Sequence, residues 1–481
     1  MPEIMIDPIT RIEGHLALKV KVEADKVVDA WSIGTLFRGF ELIVRGRDPR
    51  DAPVITQRIC GVCHYCHRLA STLAIEDAAG IIPPENAVRM RNIIDAVACI
   101  YSHAASLLVL SGPDFGVYGL AGKPHPRELE LDADKYAELL GKVIIPTQRM
   151  CHEIMAIFGG KVPHNMTTVV GGVTVIPTAD KIAQAYVRML KIKSTVYDVY
   201  TYLKETFIPH LIAEHPDVVN ALLNVGVGCK NFVSYGVYPD PVEPFKPEKF
   251  FMPRGVMISG AKGPLDVNKI SENVKYAWYT DQSGGKPSEE IPLKDAYGKS
   301  GAYTWIKAPR YNGNVCEVGP LARMIISGRY TPLSKAGASL YDRLVSRLEE
   351  LKVLTDAALT WIPELKPGAT VYTPHVIPDS AEGTGLWEAP RGALLHYINI
   401  VEKKIDRYQC VVPTTWNGSP RDDAGKLGPM EQAVLNTPVP AGDTTNVLRV
   451  VRSFDPCIAC SVHIINANGK VIKQAIPHQH P

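Results

Sequence analysis

Two cysteine pairs constrain this chain more than anything else in it. The first lies in Arg58-Ile59-Cys60-Gly61-Val62-Cys63-His64-Tyr65-Cys66-His67, the second in Asp455-Pro456-Cys457-Ile458-Ala459-Cys460-Ser461-Val462-His463. Each reads Cys-x-x-Cys, a spacing that puts both sulfurs on one side of a helical turn or tight loop. Together they offer four soft thiolates, a full ligand set for one metal centre. Almost the whole chain lies between them, so only a fold that brings its two ends together can use them jointly.

Other metal readings stay open at this point. A structural zinc site of four cysteines is one, although its pairs usually sit about 15–20 residues apart in a small module. A c-type haem is another, since Cys60 to His64 and Cys63 to His67 both read Cys-x-x-Cys-His. Those two overlap and share Cys63, so only one could take a haem. A third is an iron–sulfur cluster on Cys60, Cys63 and Cys66, but a ferredoxin run continues to a Cys-Pro that is absent here.

The chain of 481 residues has ample length for a large core. Its net charge of +2, without a basic stripe, gives no case for nucleic acid. Ten cysteines are far too few for a disulfide scaffold. Cys99, Cys151, Cys229, Cys316 and Cys410 read as small buried hydrophobes. Met1 to Asp7 lacks the basic and apolar regions of a secretory signal. The most apolar stretch, Ile93 to Leu110, is interrupted by Asp95 and His103 and does not read as a membrane span.

Leu16, Leu18, Val20 and Val22 alternate with Ala17, Lys19 and Lys21, so residues 15–33 read as a hairpin. Helices are expected at about 85–111, 134–158, 178–208 and 334–362, with Thr178 and Ser334 as N-caps. Leu340, Leu344, Leu348 and Leu351 share one face of the last. A second hairpin is expected across 394–400 and 405–412, and a surface loop across 281–301. The fold class is α+β, predominantly α: a core of long helices with β-hairpin segments near both termini.

Several further stretches accompany the cysteine pairs. They are Asp7-Pro8-Ile9-Thr10-Arg11-Ile12-Glu13-Gly14-His15, Phe37-Arg38-Gly39-Phe40-Glu41, Pro309-Arg310-Tyr311, Glu317 to Arg323, Glu388-Ala389-Pro390-Arg391-Gly392, Trp416-Asn417 and Pro420 to Asp423. Together with the pairs they resemble the large subunit of a [NiFe] hydrogenase across essentially the whole chain. The resemblance is to the respiratory uptake type and to the all-cysteine relatives of the [NiFeSe] enzymes, which carry selenocysteine where this chain has Cys457.

The resemblance implies a catalytic subunit that cleaves dihydrogen heterolytically and reversibly. Cys60 and Cys457 would be terminal ligands of nickel. Cys63 and Cys460 would bridge it to an iron carrying carbon monoxide and cyanide. Arg391 would lie over the metals and pair with Asp455, Thr414 would donate to a cyanide, and His67 to a bridging sulfur. Glu13 would carry the proton from Cys457. Glu41, the Cys410 carbonyl and His463 would hold a magnesium-type cation. The resemblance also implies a small subunit with the iron–sulfur clusters, a cytochrome or other redox carrier beyond it, and a periplasmic or membrane-associated location reached through that subunit. A maturation endopeptidase would cut after His463, leaving residues 1–463 as one catalytic unit and removing 464–481. No role is assigned to His64 or Cys66.

Two departures stand out. Ala104 to Leu110 replaces an aromatic- and histidine-rich run of the respiratory members, and Ser102 stands where some oxygen-tolerant members have aspartate. The competing class is a quinone-binding subunit of the respiratory complex I type. That relative shares the fold but lacks the four cysteines.

Overall fold

The computed structural model describes residues 2–36, 38–116, 137–214, 216–280, 284–289, 298–334 and 337–461. Strands β1 (Glu3–Ile6), β2 (Leu16–Glu23) and β3 (Lys26–Gly34) form an antiparallel meander. The β2–β3 turn is Ala24-Asp25, both at positive φ (49° and 55°). That handedness matches the strand twist of a tight hairpin. Leu16, Leu18 and Val20 are fully buried, as their alternation requires.

Helix α1 (His64–Ala79) starts directly from the first cysteine pair, with Cys63 at its N-cap. Long helices follow: α2 (Glu85–Ala105), α3 (Ile145–Gly159), α4 (Ala179–Thr201) and α5 (Leu340–Trp361). The stretch Glu85–Phe115 is long and apolar enough to cross a membrane, but most of its apolar window is buried inside the protein. Thr178 caps α4 through the Lys181 N–H. The helix expected from 334 begins at Leu340, and its cap is Ser339 rather than Ser334. Ser339 Oγ accepts the Asp342 N–H, and the Asp342 carboxylate accepts the Ser339 N–H. This reciprocal box needs an acidic residue three places on, which Asp342 supplies to Ser339 alone. Parts of the loop expected across 281–301, and of the helix expected from 134, lie outside the described residues.

Strands β4 (Ser380–Ala389), β5 (Gly392–Val401) and β6 (Lys404–Val411) form a second antiparallel meander. The expected hairpin is its β5–β6 part, and β4 is an additional strand. β4 lies against α1 almost backbone to backbone. A Cβ on Gly383 or Gly385 would come within 2.2 Å or 1.9 Å of the Ala74 or Ala70 carbonyl oxygen. Helices α6 (Pro413–Asn417), α7 (Thr445–Ser453) and α8 (Ile458–Ser461) close the described chain.

The ends meet. Val447, Val450 and Val451 of α7, with Ile458, share an apolar core with Leu16, Leu18 and Val20. A parallel bridge then joins Glu13 to Cys457: the Glu13 N–H donates to Pro456 O (3.3 Å) and the Ile458 N–H to Glu13 O (2.8 Å).

Candidate metal centre

The four paired cysteines converge. Cys60 Sγ lies 3.4 Å from Cys457 Sγ, and Cys63 Sγ lies 3.2 Å from Cys460 Sγ. Cys457 and Cys460 are 2.9 Å apart, and all four sulfurs fall within 4.8 Å of one another. All are buried. The turn after Cys60 aims the Val62 and Cys63 N–H groups at its sulfur (3.2 and 3.3 Å). Cys66 takes no part. Its thiol donates to Asp95 Oδ1 (3.2 Å), and it is absent from the four-sulfur group.

The charges point to a bound cation. Hydrogen bonds from Cys457, Cys460 and Cys63 pull the Cys60 thiol well below its usual range. Burial pushes the Cys457 and Cys460 thiols well up. Burial therefore opposes full ionisation of the four thiols by the protein alone. Full ionisation needs positive charge among the sulfurs, and metal binding supplies it while releasing protons.

Arg391 sits at a hairpin tip. Ala389 pairs with Gly392, leaving Pro390-Arg391 as the two-residue loop between β4 and β5. The buried guanidinium donates from Nε to the Asp455 carbonyl (2.8 Å) and from Nη2 to Asp455 Oδ1 (3.0 Å). Among the described residues its Nη1 and the Asp455 Oδ2 have no partners, and both are buried. A buried unpaired donor costs about 1–3 kcal/mol, so a bound acceptor beside the sulfurs would be favoured there.

Glu13 is the carboxylate of the site. Its Oε2 accepts from the Cys457 thiol (2.9 Å) and from the Ala459 N–H (3.2 Å). Burial raises its pKa, aided by negative charge at Cys60, while the Cys457 hydrogen bond and Arg391 pull the other way. Arg11 does not pair with it; Arg11 and Arg452 both reach Asp114. Gly14 makes the approach of the two ends possible. It has φ +82°, and a Cβ there would sit 2.7 Å from the Ala459 nitrogen. Gly14→Ala should cost about 1–2 kcal/mol from backbone strain alone, with more from the clash. Chemical denaturation should show the loss, and metal retention should fall with it. An unchanged midpoint would refute the close contact.

Residues 38–138 and 126–463 match the family described as nickel-dependent hydrogenase, and residues 3–31 match one described as HoxL-like. The chain belongs to the nickel-dependent hydrogenase family, as a large subunit. The hydrogenase is 38% identical to the periplasmic [NiFeSe] hydrogenase large subunit of Desulfomicrobium baculatum, over 97% of this chain and 95% of the relative. It is 34% identical to the hydrogenase-1 large chain of Escherichia coli K12, over 97% and 96%. The Ni-Fe-Se hydrogenase structure from D. vulgaris Hildenborough in the reduced state superposes with a TM-score of 0.85 at 38% identity, covering 96% of this chain and all of that one. As a hydrogenase, the chain is an oxidoreductase acting on dihydrogen, and its four-cysteine site is where a metal centre binds.

Further hydrogenase residues surround the sulfurs. Thr414 Oγ1, on α6, accepts the Cys457 N–H (2.9 Å), which leaves its own hydroxyl proton to donate. His67 Nε2 lies 3.3 Å from Cys460 Sγ. Burial pulls the His67 imidazole down to about 4, so it is neutral near pH 7. Arg38 carries no role that its motif alone would suggest. Its guanidinium reaches the Arg58 and Ile59 carbonyls of one cysteine loop and the Ala459 carbonyl of the other. A rigid fork of donors suits the joining of two loops.

A second polar cluster lies at Glu41, which is fully buried and accepts the Cys410 N–H (2.8 Å). Burial pushes its carboxyl up to about 7. Lys307 sits nearby, 3.4 Å from Glu272 Oε2, and Glu272 Oε1 has no partner among the described residues. A buried carboxylate with an unpaired acceptor beside it suits a hard cation. His463 lies outside the described residues.

Proposed function

We propose that this large subunit holds a nickel–iron pair on its four cysteines and oxidises dihydrogen in the uptake direction. Cys60 and Cys457 would hold nickel, and Cys63 and Cys460 would hold both nickel and iron. The observation that carries this reading is the Glu13 carboxylate 2.9 Å from Cys457 Sγ, beside four converging buried sulfurs. A structural zinc site is closed by its four ligands and has no use for a proton acceptor on one of them. When bound, the metal pair supplies the centre that polarises dihydrogen, a molecule with neither charge nor dipole for side chains to grip.

The chain's own groups then have distinct roles. Cys457 takes the proton and Glu13 receives it. Arg391, fixed by Asp455, would offer its Nη1 to an acceptor held beside the sulfurs, such as cyanide on iron. Thr414 donates its hydroxyl proton to a cyanide, and His67 donates to Cys460. Glu41 and the Cys410 carbonyl, with His463, hold magnesium or a similar cation. Electrons leave through iron–sulfur clusters of a small subunit and pass to a cytochrome or other redox carrier. That subunit brings the pair to the periplasm or its membrane. Elemental analysis with infrared spectroscopy tests the centre: one nickel and one iron per chain, with carbon monoxide and cyanide bands, are expected. Zinc alone with no such bands overturns the reading.

Maturation is part of the same proposal. The match to the hydrogenase family ends at residue 463, and residues 464–481 lie beyond it. An endopeptidase removes that tail after His463. Active enzyme is expected to have the mass of residues 1–463. Full activity with the tail retained defeats the claim.

A further inference from the structure

The geometry points to His396 as a positioning residue that holds the His67 imidazole so that it donates to Cys460. The inference rests on the proposed metal centre, because it takes Cys460 to be a metal-bound thiolate.

His396 lies on β5, opposite Gly385 of β4 and Cys410 of β6. That cross-strand row faces α1, where the side chain of Gly385 is missing and Ala70 closes in. His67 is one helical turn before Ser71 on the same face of α1. The contacts run in an unbroken line. Cys460 Sγ is 3.3 Å from His67 Nε2, and His67 Nδ1 is 3.1 Å from His396 Nε2. His396 Nδ1 is 2.7 Å from the Tyr408 hydroxyl, which is 2.7 Å from Ser71 Oγ. All five groups are buried.

Proton bookkeeping along this line fixes the tautomers. A metal-bound thiolate has no proton, so His67 Nε2 must carry one to bond with it. Neutral His67 then has a bare Nδ1, which can only accept. His396 Nε2 must therefore carry the next proton, leaving its own Nδ1 to accept the Tyr408 hydroxyl proton; that proton, which meets Ser71 Oγ while the sulfurs are protonated, turns to His396, and Ser71 donates to the Tyr408 oxygen in its place. The reverse order would aim the His67 lone pair at the sulfur, two electron-rich atoms in contact. A ligand's hydrogen-bond partner is commonly oriented in this way by the group behind it. His396 acts through His67, at one remove from the metals. By keeping the donor in place it drains electron density from the bridging sulfur.

Neutron diffraction of the metal-loaded wild type in deuterated solvent gives the direct test. Deuterons are expected on Nε2 of both His67 and His396; a deuteron on His67 Nδ1 overturns the inference. The second arm is the infrared spectrum. With His396→Phe the bridging sulfur loses its fixed donor, so the carbon monoxide band should move to lower wavenumber. His396→Gln, whose amide N–H can replace the Nε2 donor, should return the band toward its wild-type position. Tyr408→Phe should give a smaller shift in the same direction and serves if the phenylalanine variant does not fold. Bands at the wild-type position in every folded variant overturn the inference. Absence of the bands from the wild type would instead refute the nickel–iron reading, so the two failures are distinct.

Discussion

Glu13→Gln is expected to leave nickel and iron bound and to lower both dihydrogen turnover and hydrogen–deuterium exchange by ~10²–10⁴-fold, the usual worth of a positioned acid–base group. The glutamine keeps the shape and can still accept from the Ala459 N–H. It cannot take a proton from Cys457 and pass it on. Two observations equip the carboxylate to do so, the 2.9 Å contact with Cys457 Sγ and a pKa raised by burial. A raised pKa brings proton uptake by the carboxyl closer to working pH, where relay is efficient. Glu13→Asp should fall between the two, since its carboxylate is one methylene short. Infrared bands check that the metals remain, and exchange measures the relay. Near-normal exchange with intact bands would show that the proton leaves by another route.

Cys460→Ser is expected to abolish the bimetallic centre altogether. Cys460 Sγ touches Cys63, Cys457 and His67 at 3.2, 2.9 and 3.3 Å, so it belongs to the cluster and to its hydrogen-bonded support. A serine hydroxyl is harder and far less acidic than a thiol, and a poor bridge between soft metals. Cys66→Ser is the control. Cys66 is also a buried cysteine, but its partner is Asp95. It should retain both metals and change stability by no more than about 1–3 kcal/mol, the cost of a mispaired buried hydroxyl. Elemental analysis of the two variants separates them. Equal loss of metal from both would mean that packing, rather than ligation, had been disturbed.

The centre was more legible in the sequence than the scaffold that builds it. The paired cysteines show their chemistry at short range, whereas Glu13 and Arg391 were singled out only through the resemblance of their motifs to a known family. Helix α1 left no amphipathic signal, because residues His64 to Thr72 are buried on every side and no polar face marks its period. Strand β4 was hidden for a related reason. Gly383 and Gly385 are poor strand formers, and they are there to admit the helix backbone. Ser334 and Ser339 look alike as caps until Asp342 decides between them. His396 could not be singled out, since its meaning depends on a partner brought to it across the sheet–helix contact.

The pairing of the two cysteine loops also carries a kinetic consequence. Cys60 and Cys457 are 397 positions apart. Closing a flexible loop of that length costs roughly 5 kcal/mol in chain entropy. A sulfur cluster without metal offers little against that, so hydrophobic burial has to close it. Val447, Val450, Val451 and Ile458 packed against Leu16, Leu18 and Val20 do so, at about 1.5–3 kcal/mol per side chain. A chain made only as far as residue 446 therefore has its first cysteine pair and most of its helices, but no enclosure to receive a metal. The four-sulfur enclosure exists only once the second cysteine pair has been made and packed against the first.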